Sequence, residues 1–181
     1  MFNRFYRAIL ICICAVAAVF YYLKEDYGSM TMMLIAAGLF IYGYYRYGNV
    51  YIAFKALQIE DYAKAKKLIS EIKNPELLVK GQKSYYHFSL GILASNEKKW
   101  NVSYNELVEA LNIGLRTKND TSIVLLNLAN VEFNRQNFDE AMDFIAQIKE
   151  MELNPLVRSE VDKLETEIIE VTKAMKSKPG K

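Results

Sequence analysis

Proline occurs only three times in these 181 residues, as Pro75, Pro155 and Pro179, so most of the chain is free of the residue that interrupts helices most sharply. Cysteine is nearly absent as well. The two present, Cys12 and Cys14, exclude a disulfide framework, because two positions apart on a helix they point roughly 200° from each other and cannot pair. They read as small apolar groups that face lipid or pack. The single histidine, His87, falls in Tyr85-Tyr86-His87-Phe88, with no Cys or carboxylate at metal-ligand spacing. It is expected to be a packing or surface residue, with no metal and no cofactor. A Gly-rich phosphate loop, a Gly-x-Ser-x-Gly elbow and a carboxylate pair in an apolar setting are all missing, so catalysis is not expected. Nor is there a surplus of one charge: 23 Lys/Arg stand against 21 Asp/Glu, which argues against a nucleic-acid partner.

Charge is, however, unevenly spread. Residues 1–48 hold only Arg4, Arg7, Lys24, Glu25, Asp26 and Arg46, all at the edges of apolar runs, which leaves 19 basic and 19 acidic groups for the rest. The first run, Ala8 to Leu23, has no charge and no proline, and with Phe5 and Tyr6 it approaches the roughly 17 to 25 residues that cross a bilayer as a helix. A second run extends from about Met30 to Tyr47. Between them lies only Lys24-Glu25-Asp26-Tyr27-Gly28-Ser29, so residues 1–48 are expected to form a transmembrane hairpin with helices at about 5–23 and 30–47.

Aromatic rings gather where the headgroup layers would lie: Phe2, Phe5 and Tyr6 at the start, Phe20, Tyr21, Tyr22 and Tyr27 around the turn, and Tyr42, Tyr44, Tyr45 and Tyr47 at the end. Arg4, Arg7, Arg46 and Lys55 flank the hairpin while the turn has Lys24 alone, which predicts both termini on the cytoplasmic side of a bacterial inner membrane or other cell membrane. Ala15, Ala17, Ala18, Ala36, Ala37 and Gly38 are candidates for close helix approach, or else face lipid. A cleaved signal peptide competes with this reading, since Ala15-Val16-Ala17 resembles a processing site, but the second apolar run weighs against it.

Beyond Gly48 a period emerges. An aromatic followed three residues later by a small side chain occurs as Tyr62 with Ala65, Trp100 with Ser103 and Phe138 with Ala141, each 38 residues apart. Nine residues before each aromatic stands another small residue: Ala53, Gly91 and Ala129. This is the pattern of paired antiparallel helices, in which a small residue lets the second helix close against the first. The third unit adds apolar residues at three- and four-residue spacing on both sides of a polar turn at 135–137. With Leu90-Gly91 and Leu128-Ala129 before the turn and an aromatic and an Ala or Ser after it, residues 49–153 resemble the tetratricopeptide repeat. The resemblance is plainest in the third unit and thinnest in the first, and the 38-residue step departs from that family's usual, shorter one. It implies an α-solenoid of about three helix pairs, with longer helices or loops near 73–81 and 111–121.

Asn74-Pro75 and Asn154-Pro155 punctuate the units, and 119–122 offers helix caps. Val157, Val161, Leu164, Ile168, Val171 and Met175 then form a narrow apolar stripe. It is expected to cap the repeats over 154–176, the competing reading being a dimerising coiled-coil seam. The lysine-containing tail 177–181 is expected to be disordered. Asn101-Val-Ser103 and Asn119-Asp-Thr121 match the glycosylation triplet but are expected to go unused.

The whole is thus expected to be an all-α, membrane-tethered protein. The family resemblance implies that a protein or peptide partner binds a groove on the first helix of each unit, projected to Phe54, Gln58, Tyr85, Phe88, Ile92, Asn96, Asn127, Asn130 and Asn134. With amides and apolar groups there, a helix or extended segment would be read through the Asn side chains. The groove face alternatively packs against the chain's own membrane-proximal helix, and the whole chain alternatively serves as an accessory subunit held through its hairpin.

Overall fold

The computed structural model describes residues 4–47 and 49–177, and among these every regular element is helical. The expected tail lies outside them except for its first residue. The chain divides into two compact units, residues 1–83 and 84–181.

In the first unit, α1 (Arg4–Leu23) and α2 (Tyr27–Tyr47) form a hairpin, followed by the shorter α3 (Val50–Gln58) and α4 (Tyr62–Ser70), a 3₁₀ turn at Pro75–Leu77, and the first residues of α5 (Lys80–Asn96). The turn between α1 and α2 is tighter than the charged segment 24–29 suggested. Asp26 accepts from the Ser29 N–H and starts α2 three residues earlier than the apolar run does. Ala18 and Cys14 are buried in this hairpin, whereas Cys12, Ala15 and Gly38 face outward, and a Cβ on Gly38 would meet nothing. Close approach therefore rests on fewer small residues than the sequence offered. Most other large side chains of α1 and α2 are exposed, among them Ile13, Val16 (71%), Val19, Leu34 and Leu39 (67%). Among the described residues one helix, α2, is long and apolar enough to cross a membrane, and the apolar part of α1, Ala8–Leu23, is shorter.

The α3–α4 pair closes on Ala53, Ala56, Leu57, Ala65 and Ile69. Asp61 caps α4 by accepting from the Lys64 N–H, and the Asn49 amide donates to Glu71 at 2.8 Å across the open end of the pair.

The second unit continues α5 and adds α6 (Trp100–Ile113), α7 (Lys118–Asn134), α8 (Phe138–Lys149) and α9 (Pro155–Ser177). Thr117, not the 119–122 segment, caps α7, its hydroxyl accepting from the Asp120 N–H. Asn154 caps α9 through the Val157 N–H, with Pro155 at the first helical position. The core joins Leu125 and Ala129 of α7, Ala141, Ile145 and Ile148 of α8, and Val157, Val161, Leu164 and Ile168 of α9. The α9 stripe is thus spent inside this unit except at its end, where Met175 is exposed.

Each hairpin turns the same corner. Glu60, Lys98 and Gln136, at steps of 38, have φ of 58°, 57° and 66°. The next residues, Asp61, Lys99 and Asn137, donate their N–H five residues back, to Ala56, Ala94 and Glu132, each at 2.9 Å. This left-handed helix ending satisfies carbonyls that a helix terminus would otherwise leave bare. The α1–α2 turn repeats it, with Glu25 at φ 59° and Asp26 donating to Tyr21 at 3.1 Å.

Candidate functional site

The residues that define the repeat in sequence are the contact residues of the hairpins. Ala53, Ala65, Ser103, Leu128, Ala129 and Ala141 are fully enclosed and Gly91 is buried, while Tyr62, Leu90, Trp100 and Phe138 are half-buried. Gly91 matters most. A Cβ there would lie 2.6 Å from Leu107 Cγ, and the Gly91 carbonyl accepts from the Ser103 hydroxyl at 2.8 Å, so α5 and α6 touch through backbone.

The nine residues projected onto a groove meet different fates. Within the first unit, Phe54 is half-buried and Gln58 is exposed. Within the second, Phe88 is only 2% exposed and lines no open face. It shares the buried stripe Ser84, Phe88, Gly91 of α5, a spacing of four and three that turns it into the core. Periodicity does not place Phe88, because α5 carries apolar residues nearly all round and no one stripe stands out.

Tyr85 is half-buried and engaged: its hydroxyl donates to Asp120, which also accepts from the Thr117 hydroxyl at 2.6 Å. Burial, and then the neighbouring Asp120 carboxylate, push the Tyr85 hydroxyl up to about 12. Tyr85 therefore acts as a strut from α5 to the start of α7.

Ile92 and Asn127 are half-buried, and Asn96, Asn130 and Asn134 are exposed. The Asn127 amide donates to the Ile123 carbonyl and the Asn134 amide to the Asn130 carbonyl, each at 2.7 Å. Both side chains thus spend one N–H on their own helix and keep the amide oxygen, so this stretch of α7 offers a partner acceptors more readily than donors.

Sequence reading overlooked two polar clusters. Glu132 is 2% exposed, yet both carboxylate oxygens are engaged, one by Arg135 at 2.5 Å and the other by the Asn137 amide at 2.6 Å. Arg135 in turn covers the Tyr104 ring at 5.2 Å. The cluster locks the α7–α8 corner, and its only sequence signal is the i,i+3 pairing of Glu132 with Arg135. In the other, His87 Nδ1 lies 2.7 Å from Glu106 Oε2, the Tyr86 ring stands edge-on to the imidazole, and Nε2 is covered without a partner. Burial, and then Glu106, raise the Tyr86 hydroxyl. Nineteen positions apart in sequence, His87 and Glu106 give no local signal. Neither His87 nitrogen is open to a reacting group.

An open depression runs along α9, bordered by Leu153, Pro155, Arg158, Asp162, Thr166 and Glu170. None of the projected groove residues borders it. Compared with protein-family models, with curated proteins and with solved structures, the chain matches none.

Proposed function

We propose that the chain is a membrane-tethered adaptor, in which α1 and α2 cross a membrane as a hairpin and the later helices form a tetratricopeptide-like solenoid that holds a protein or peptide partner on the cytoplasmic side. The observation that carries the tether is the apolar surface of α1 and α2. Large side chains such as Ile13, Val16, Val19, Leu34, Ile35 and Leu39 are exposed on helices with no charge between Ala8 and Leu23 or between Tyr27 and Tyr45. Water would penalise that surface by about 25 cal/mol for each Å² of apolar area, whereas lipid does not.

The solenoid reading is supported by the 38-residue recurrence of small residues, aromatics and corner geometry. The recognition reading is supported by the exposed amides of Asn96, Asn130 and Asn134, which suit an extended or helical segment with main-chain donors. Burial of Phe88 removes an aromatic anchor from that face and favours a second reading, an accessory subunit held in a larger complex through the hairpin.

Two measurements test these readings. Alkaline carbonate extraction and detergent phase partition should leave the full chain with the membrane and detergent fractions, and recovery in the aqueous fraction would end the tether reading. Replacing residues 1–48 by an unrelated two-helix anchor then separates the alternatives, since an adaptor keeps its partner and an accessory subunit loses its complex.

A further inference from the structure

The two units differ in charge. Residues 49–83 carry seven lysines against four acids, whereas residues 84–181 carry twelve basic and fifteen acidic groups. The lysine excess follows directly on α2, and the structure ties it there. The Arg46 carbonyl at the end of α2 accepts from the Val79 N–H at 2.9 Å, and its guanidinium donates to the Leu77 carbonyl at 3.3 Å. Asn49, just beyond α2, holds Glu71 at the end of α4. The end of α4, the loop through Pro75–Leu77 and the first turn of α5 are therefore gathered around the point where α2 ends.

What is exposed there is basic and amphipathic. On α4, burial of Ala65 and Ile69 turns Lys64 and Lys67 to the outer face. Lys73 and Lys80 are exposed in the loop and at the start of α5. Tyr47, Tyr51 and Leu77 in the same stretch of chain are exposed as well, with the Lys55 ammonium 5.1 Å from the centre of the Tyr51 ring. The acids in this stretch are partly answered already: Glu76 by Lys83 at 2.5 Å and Glu71 by Asn49. Exposed lysines and amphipathic rings in one stretch of chain, joined directly to an apolar hairpin, match the headgroup layer of an anionic bilayer in both charge and polarity.

We propose that the α3–α4 pair and the loop to α5 form a lipid-docking surface, taking the phosphate headgroups of anionic lipids in the bilayer that the hairpin enters. The proposal rests on the tether reading. Docking through Lys64, Lys67, Lys73 and Lys80 would fix the tilt of the first unit against the membrane, so that lipid composition and ionic strength control how that unit is presented.

The test uses the full chain, one copy per nanodisc, in discs of phosphatidylcholine alone or of phosphatidylcholine with phosphatidylglycerol. Lysine amines are acylated by a soluble activated ester and quantified by mass spectrometry, with Lys118, Lys149 and Lys163 of the second unit as internal references. Acylation of Lys64, Lys67, Lys73 and Lys80 is expected to slow several-fold in the anionic discs only. The protection should fade as salt shortens the screening length from about 10 Å at 0.1 M to about 3 Å at 1 M. In Lys67→Glu/Lys73→Glu, protection of Lys64 and Lys80 should also be lost. Equal acylation in both discs would overturn the proposal while leaving the tether intact, and so would protection that appears only with two copies per disc, which would point to the acidic unit of a second chain. A chain that fails to enter either disc would overturn the tether and the proposal together.

Discussion

The α1–α2 hairpin and the α3–α4 hairpin turn their corners with the same three residues, Glu25-Asp26-Tyr27 and Glu60-Asp61-Tyr62, in the same backbone geometry. In both, the Glu adopts positive φ and the Asp side chain caps the following helix. Yet α1 and α2 expose Val16, Leu34 and Leu39, while α4 turns Lys64 and Lys67 outward and keeps Ala65 and Ile69 inside. Corner geometry is thus the same whether the helices it joins carry apolar or charged outer faces. It answers only to the bare carbonyls of a helix end, and the side chains along the helix decide what surrounds it.

The largest expected effect comes from placing the same charge on the outer faces of the two hairpins. Leu39→Lys lies midway along α2, where insertion scales charge about 2.5 to 3.5 kcal/mol for a lysine, so the carbonate-resistant fraction should fall sharply. Ala63→Lys, on the exposed face of α4, should change stability by less than about 0.5 kcal/mol. Equal tolerance at both positions would erase the distinction between the hairpins. Next comes Gly91→Ala, where the new Cβ meets Leu107 at 2.6 Å and the Ser103 carbonyl at 3.3 Å. Overpacking of this kind costs about 1 to 3 kcal/mol, visible as a lower melting temperature. At Ala53 and Ala129, where the helices already accommodate a methyl group, Ala→Gly should cost the helix-propensity difference of about 1 kcal/mol together with about 0.8 kcal/mol for the buried methyl it removes.

The recurrence, the helix pairs and the small residues between them were legible because each is a local pattern repeated at one step. The corners were not. A helix ending of this kind usually places Gly at the left-handed position, and here Glu25, Glu60, Lys98 and Gln136 occupy it, so the strongest stop signal is missing. The start of α2 was misjudged for a related reason, since apolarity marks the run from Met30 while the cap at Asp26 sets the helix. The proposed groove was least legible of all. Periodicity finds a stripe on a helix but cannot choose between stripes when a helix such as α5 buries Ser84, Phe88, Ser89 and Leu93 together. Contacts between distant residues, such as Tyr85 with Asp120 and His87 with Glu106, left no mark in spacing.

Tyr85 sharpens the comparison through pH. Its hydroxyl titrates at about 12 in the folded chain and near 10 when unfolded, so between those values the folded state holds the proton that the unfolded state has released. Stability from this group is therefore complete below about pH 10 and is lost as pH rises toward 12. Melting temperatures measured across that window should fall more steeply for the native chain than for Tyr85→Phe, and coincident slopes would remove Tyr85 from the account.

The last comparison is the most discriminating, because it removes the same cap from both corners. Asp61→Ala takes the acceptor from the Lys64 N–H on a helix of only nine residues, where loss of a cap costs about 1 kcal/mol and the end of α4 should exchange its amides faster. Asp26→Ala removes the equivalent bond from Ser29 N–H, and Ser29 holds the Asp26 carboxyl below its usual range through its hydroxyl and its backbone. Stability from Asp26 is therefore present above the ordinary carboxylate range and lost only as pH falls below it. If lipid holds α1 and α2, fraying at the Asp26 corner has little to unravel, since their backbone bonds have no competing water along the span. Hydrogen exchange in a bilayer should then change within the first turn of α2 and nowhere beyond it. Exchange spreading along α2 after Asp26→Ala, as it is expected to along α4 after Asp61→Ala, would mean that both hairpins stand in water and that exposure of Leu39 needs another cause.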